Sequence, residues 1–167
     1  MTKNLAKEIK EGLAMTIRIQ QANLKDVHLI APLFDAYRVF YQQTSDIDLA
    51  TKFLSERLQK QESIIFFAID KDDQSLGFVQ LYPSFSSVSA MRQWILNDLF
   101  VSETARRTGV ARLLMNRARQ FAIDTKAKGL FLETAHDNTK GQSLYESLAY
   151  KRNSEYYYFL DLQKAIK

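Results

Sequence analysis

The stretch from Gln93 to Lys128 constrains the fold more than any other. An apolar segment, Gln93-Trp-Ile-Leu-Asn-Asp-Leu-Phe-Val101, runs through the basic turn Ser102–Gly109 into Val110–Lys128. There Val110, Leu113, Leu114, Ala118, Phe121 and Ala122 form an apolar stripe at helical spacing. A second apolar segment, Leu130–Ala135, follows at once. Strand, helix and strand in that order put the two strands side by side and parallel, because the crossover helix carries the chain back to the same end of the sheet. The fold class is therefore α/β.

The remaining elements are arranged around this unit. Thr16–Ile19 reads as a strand. Asn23 and Asp26 cap a helix that carries Val27, Ile30, Phe34, Tyr37 and Tyr41 on one side. Pro32 is expected to kink or cut it. Asp48 is expected to cap a second helix with Phe53, Leu54 and Leu58. Ser63–Ile69 reads as a buried strand, Lys71–Gln74 as its turn and Leu76–Tyr82 as its hairpin partner. A loop with four serines leads to Gln93–Val101. A short helix over Thr139–Leu148 and a last strand over Tyr156–Leu162 complete the order β-α-α-β-β-β-α-β-α-β.

Bulk properties remove several function classes. A chain of 167 residues, 46% apolar and 25% charged, suits one folded domain. Its longest clean apolar run, Ile64–Ile69, is far too short to span a membrane. Met1–Met15 carries Glu8 and Glu11 and lacks a signal-peptide pattern. Residues 1–14 read as a leader or extension, and 15–167 as the domain. Cysteine is absent, which excludes disulfides, thiolate metal sites and a cysteine nucleophile, and fits a cytoplasmic location. The net charge of +4 mildly favours an anionic partner but is too small and dispersed to argue nucleic acid. His28 and His136 are isolated, which argues against a metal site.

Why place Arg106-Arg107-Thr108-Gly109 between a strand and a helix? A helix start offers unpaired N–H groups and partial positive charge. Gly109 lets the backbone approach a ligand without a Cβ in the way, and the arginines add charge. Such a turn is a natural phosphate cradle. It lacks the spacing of a Walker loop and the glycines of a dinucleotide fingerprint.

The pattern Arg106-x-x-Gly109-x-Ala111, with Val101 before it and Leu114 after it, resembles the acyl-CoA pyrophosphate loop of the GNAT superfamily of N-acetyltransferases. Asn138-Thr-Lys-Gly141-Gln-Ser-Leu144-Tyr145-Glu-Ser-Leu148-Ala149-Tyr150 resembles a second segment of that superfamily. In it Gly141 stands where Ala is usual, and Ala149 where Gly is usual. The resemblance implies a mixed, mostly antiparallel sheet of about six to seven strands, about four helices, and a parallel strand pair that splays at the acetyl-CoA site. It implies that backbone amides of the turn, from Arg106 and Arg107 through Thr108, Gly109, Val110 and Ala111, bind the pyrophosphate. Leu99, Phe100 and Val101 would pair with pantetheine and polarise the thioester carbonyl. Tyr145 would protonate the leaving thiolate, and Asn138 would bond the pantetheine side or cap its own helix.

No cysteine is available for an acyl-enzyme, so direct attack by the amine is expected. The base is left open by the residues. Around Ile95–Val101 the chain is similar to polyamine acetyltransferases of the superfamily, which carry Glu at the position of Asn97. Asn is no base. Asp98, Glu133 or a water chain could serve, and each carboxylate could instead be structural. Strand alternation turns Asn97 and Asp98 to opposite faces. Tyr37, Tyr41, Asp46, Tyr82, Trp94 and Asn97 are candidates for the amine pocket, the aromatics through cation–π contact and Asp46 through ion pairing. The expected function is acetyl-CoA-dependent N-acetylation of a small-molecule amine, with no nucleic acid or membrane partner and with a homodimer usual among small relatives. The alternatives are a peptide or protein acetylase and a non-catalytic acyl-CoA sensor. Tyr145 weighs against the sensor, and Asn97 in place of Glu weighs for it.

Overall fold

Side-chain alternation on the central strands decides where the core lies. The computed structural model describes residues 17–154 and 158–162, in two compact units that divide between Glu133 and Thr134. The first holds a sheet of strands β1 (Arg18–Gln21), β2 (Ile64–Ile69), β3 (Ser75–Ser86), β4 (Met91–Val101) and β5 (Leu130–Phe131), in that spatial order. Every neighbouring pair is antiparallel except β4 and β5, which run parallel with Trp94 opposite Leu130 and Ile95 opposite Phe131. The parallel pair is the one the strand–helix–strand order predicts.

On β2, Ile65, Phe67 and Ile69 face a core shared with helices α1 (Val27–Phe40) and α2 (Ile47–Gln59). Phe34 of α1 stacks on Phe53 of α2, centroids 5.4 Å apart, and lies 6.0 Å from Phe78 of β3. Phe66 points the other way, to helix α3 (Val110–Asp124), where Phe121 lies 5.5 Å from it. Each fully buried ring of this kind contributes about 1.5–3 kcal/mol of apolar burial.

Several local expectations need correction. Pro32 does not cut α1, which runs through it. Both Pro32 and His28, whose carbonyl loses its helical donor, are exposed, so water can take the donor's place. The cap of α2 is Asp46, not Asp48: its side chain accepts from Leu49 N at 2.9 Å. The serine-rich stretch is mostly strand, since β3 continues to Ser86 and pairs with β4 down to Met91. Helix α3 ends at Asp124, not Lys128, and β5 covers only Leu130–Phe131 of the expected Leu130–Ala135. The described sheet thus has five strands instead of six to seven. Of the expected last strand, Tyr156 and Tyr157 lie outside the described residues, and Tyr158–Asp161 have no strand. The leader 1–14 and Thr16 also lie outside them.

The second unit contains helix α4 (Thr139–Ser147). Asn138 caps it, Oδ1 accepting from Gly141 N at 3.0 Å. A Cβ on residue 141 would come within 2.5 Å of Asn138 Nδ2, which accounts for Gly at this position. Ala149, past the helix end, has φ 67°, so the left-handed turn is kept although Ala replaces Gly.

The connection between α1 and α2 hangs on one buried carboxylate. Asp35 accepts from Ser45 Oγ at 2.5 Å, Asp46 N at 2.8 Å and Arg38 Nη1 at 3.3 Å. The Ser45 hydroxyl and the Asp46 amide hold its pKa below the ordinary carboxylate value. The stability it supplies is therefore present above the unfolded carboxylate pKa and is lost as pH falls through the lowered, folded one. Asp35→Asn should cost about 1–3 kcal/mol at neutral pH, read by urea denaturation, and should flatten the acid side of the stability curve. An unchanged acid side would remove Asp35 from this role.

Candidate active site

Pairing between β3 and β4 runs through Val79–Leu99 and Gln80–Asp98, then slips to Leu81–Leu96. Asn97 is therefore an extra residue without a partner on β3, a β-bulge. The bulge reverses the alternation. Trp94 lies on the α3 side, 5.1 Å from Phe121, with Nε1 donating to Thr125 Oγ1 at 3.0 Å. Phe100, an even number of residues on, lies on the opposite side, 6.2 Å from Tyr37 of α1. An unbroken strand would have put both rings on one face. Asp98 joins Phe100 on the α1 side, so the expectation that Asn97 and Asp98 face opposite ways fails. They hydrogen-bond each other, Asn97 Nδ2 to Asp98 Oδ1 at 3.0 Å.

Two donors converge on the Asp98 carboxylate, which is only 4% exposed. Gln80 Nε2 donates to Oδ2 at 2.8 Å and Asn97 donates as above, while the Tyr37 hydroxyl on α1 faces the carboxylate and favours its ionised form. Gln80 Nε2 also donates to the Tyr82 hydroxyl at 2.9 Å. Burial pushes the Asp98 pKa above the ordinary carboxylate value, against the opposing effect of these hydrogen bonds. Burial, reinforced by the Asp98 charge, pushes the Tyr37 and Tyr82 phenols up as well, so both stay protonated. The result is a carboxylate of raised basicity ringed by neutral hydroxyls and amides.

Beside this cluster β4 has a free edge. Its parallel pairing with β5 ends at Ile95–Phe131, and among the described residues no strand pairs that edge over Leu96, Leu99, Phe100 and Val101. Backbone groups there can pair with an extended ligand, as a further strand would.

At the end of β4 lies the basic turn. Arg107 has φ 67° and Gly109 φ 96°, two left-handed residues that curl the main chain into a concavity at the start of α3. Thr108 Oγ1 braces the turn by donating to Ala105 O at 2.6 Å. Arg106 donates Nε to Val101 O at 3.3 Å and lies 6.0 Å over the Phe100 ring. Arg107 is exposed. No side chain caps α3, whose first amides include those of Val110 and Ala111. A Cβ on Gly109 would meet no atom within 4 Å, so the space beside its backbone is open, as a phosphate group needs.

The structure thus brings together Asp98, Asn97, Tyr37 and Tyr82 among the sequence-predicted residues. Tyr41 lies at their margin, its ring 5.0 Å from Tyr37. Trp94 is on the other face of the sheet, and Glu133 is exposed beyond the end of β5. In the second unit Tyr145 is half-buried, its ring 6.3 Å from that of Tyr150. Sequence reasoning missed Gln80. The available signal was an amide inside the apolar run Phe78–Leu81, with the polar pair Asn97-Asp98 on the strand to come.

An uncapped helix start behind a left-handed turn, next to an unpaired strand edge, suits a long ligand ending in phosphates. Residues 30–150 match the acetyltransferase (GNAT) family. The chain belongs to that family, and it is an acyltransferase. It is 44% identical to the uncharacterized N-acetyltransferase YhfO of Bacillus subtilis, over 86% of this chain and 95% of that protein. It is 33% identical to a probable acetyltransferase of Haemophilus influenzae, over 82% of this chain and 92% of that one. A crystal structure of a probable acetyltransferase, 46% identical, superposes with TM-score 0.83 and covers 87% of this chain and 97% of its own. The turn at Gly109 is the segment whose sequence resembles the family's acyl-CoA loop. Gly109→Val should weaken acetyl-CoA binding at least about tenfold, because a branched side chain is strained at this φ and fills the phosphate's space. Calorimetry on the folded variant reads the effect, and unchanged affinity would remove the turn from the binding site.

Proposed function

We propose that the protein transfers the acetyl group of acetyl-CoA to a primary amine of a small molecule by direct attack on the thioester. The observation that carries this reading is the Asp98 carboxylate, buried, raised in basicity and held by two amide donors beside the open edge of β4. A carboxylate so placed attracts an ammonium group and takes its proton. Its slight exposure favours a slender amine over a folded protein surface. The Tyr37 and Tyr82 rings add faces suited to a cation.

In this reading the backbone amides of the turn at Gly109 and the start of α3 hold the pyrophosphate, and the backbone of β4 over Leu99–Val101 orients the thioester. The amine nitrogen bonds to the carbonyl carbon, its proton passes to Asp98, and the carbon–sulfur bond breaks. Tyr145, which stands at the family's motif tyrosine, supplies a proton to the departing sulfur. A phenol hydroxyl suits that task. The observed bond from Asn138 to Gly141 N supports its capping role.

An amine panel with acetyl-CoA, read as released thiol, tests the reading. Asp98→Asn should lower kcat/KM about 100-fold or more. The base must be ionised, so wild-type activity should fall as pH drops through its raised pKa, and the variant should lose that acid limb. A panel without thiol release, or a variant with wild-type rate and profile, would refute the assignment. Tyr145→Phe keeps the ring and should lower kcat about 100-fold while leaving acetyl-CoA affinity and melting temperature near wild type. Full activity would reduce Tyr145 to packing.

A further inference from the structure

Gln80, in the middle of β3, is a polar side chain that is completely buried. Its nitrogen supplies both of its protons inside the cluster, one to Asp98 Oδ2 at 2.8 Å and one to the Tyr82 hydroxyl at 2.9 Å. Its oxygen, Oε1, is buried with no hydrogen-bond partner among the described residues. An orphaned buried acceptor is costly, and an apolar residue would fit a buried strand at lower cost. The two bonds from Nε2 are what distinguish Gln here.

Their consequence is directional. A group that accepts from an N–H is left with its own proton to give. Tyr82 accepts from Gln80 and, among the described residues, donates to no protein acceptor, so its O–H is available to a ligand. Asp98, with an amide donor on each carboxylate oxygen, is fixed as an acceptor. One side chain therefore presents two groups of opposite polarity from one wall of the cluster.

We infer that Gln80 is a positioning residue that sorts this pair, Asp98 to receive the amine and Tyr82 to donate a hydrogen bond to a second, acceptor-bearing group of the same substrate. The preferred substrate class is a small amine that carries a hydroxyl, carbonyl or carboxylate oxygen a few bonds from its nitrogen, over a plain alkylamine. This inference rests on the amine-acetylation reading for its substrate, but not for the coupling of Gln80 to Asp98. The other titratable and charged groups facing the pair are Tyr37 of α1, itself influenced by Tyr41 just past the helix end, and Arg57 of α2 and Glu62 beyond it, which act on Tyr82.

Two measurements test it. The first needs no substrate: the Asp98 carboxyl is titrated by carbon NMR in the full chain and in Gln80→Met, which keeps the length and removes the donor. Loss of a hydrogen bond to the ionised form should raise the midpoint by about half a pH unit or more. Should the Met variant fail to fold, Gln80→Leu also removes the donor and should raise the midpoint likewise. An unmoved midpoint in a folded variant overturns the sorting role. The second compares kcat/KM for short amino alcohols and alkylamines of matching length. Wild type should favour the amino alcohol about tenfold, and Tyr82→Phe should erase that preference. A wild type without the preference, or a Phe variant that keeps it, overturns the substrate class. A wild type inert towards all amines overturns the amine-acetylation reading instead, and the titration still decides the part of Gln80.

Discussion

The slip in pairing at Asn97 is the constraint on which the site depends. Without it, Asp98 and Phe100 would share a face with Trp94, beneath α3. With it, the strand serves two cores: Trp94 packs under α3, and Phe100 packs against Tyr37 of α1. The same reversal delivers Asp98 to the Gln80 donor of β3 and to the facing Tyr37 of α1. A one-residue irregularity thus changes which layer of the fold the carboxylate belongs to. It does so beside the edge where β4 has lost its parallel neighbour. Bulges recur beside active sites because they re-aim side chains in this way.

Burying Asp98 has a cost that the surrounding donors only partly offset. A carboxyl whose folded pKa is raised favours folding in its protonated form, so its ionised form works against stability at neutral pH. Gln80 and Asn97 reduce the penalty by bonding to the charged state, and the facing Tyr37 hydroxyl favours it too. The fold keeps the charge where apolar packing would be more stable, which is the usual mark of a functional group. Asp35 is the contrast. Its donors lower its pKa, so its ionised form stabilises the fold, and it fastens a connection.

The parallel pair, the four helices and the turn at Gly109 are legible in the sequence because each rests on a local pattern. Apolar stripes mark the helices, and the strand–helix–strand order marks the pairing. The misreadings have equally local causes. Period-two reasoning across Asn97 fails because no property of that residue announces a slipped register; the slip appears only when β3 is laid beside β4. Trp94 looks like a pocket aromatic in the sequence and packs under α3 for the same reason. Asp46 and Asp48 are both plausible caps, and the side chain of Asp35 selects the former by binding its amide. Gln80 escapes because its meaning lies in a partner on the next strand.

The backbone carries one more discrimination. Among the described residues seven non-glycine residues have positive φ, and Gly109 is the one glycine that does. Gln42, Gln61, Lys126 and Ala149 close the ends of the four helices, positions where glycine is the common choice. Each costs roughly 1 kcal/mol relative to glycine. A chain with only five glycines tolerates that cost at ordinary turns. At Arg107 it accepts the same conformation and keeps a cationic side chain there. At Gly109, where a Cβ would meet only open space, the protein itself has no steric need for glycine beyond φ, a need left unmet at the helix ends. The difference is explained if something outside the chain must come close to that backbone, which is what a phosphate group held by the first amides of α3 requires.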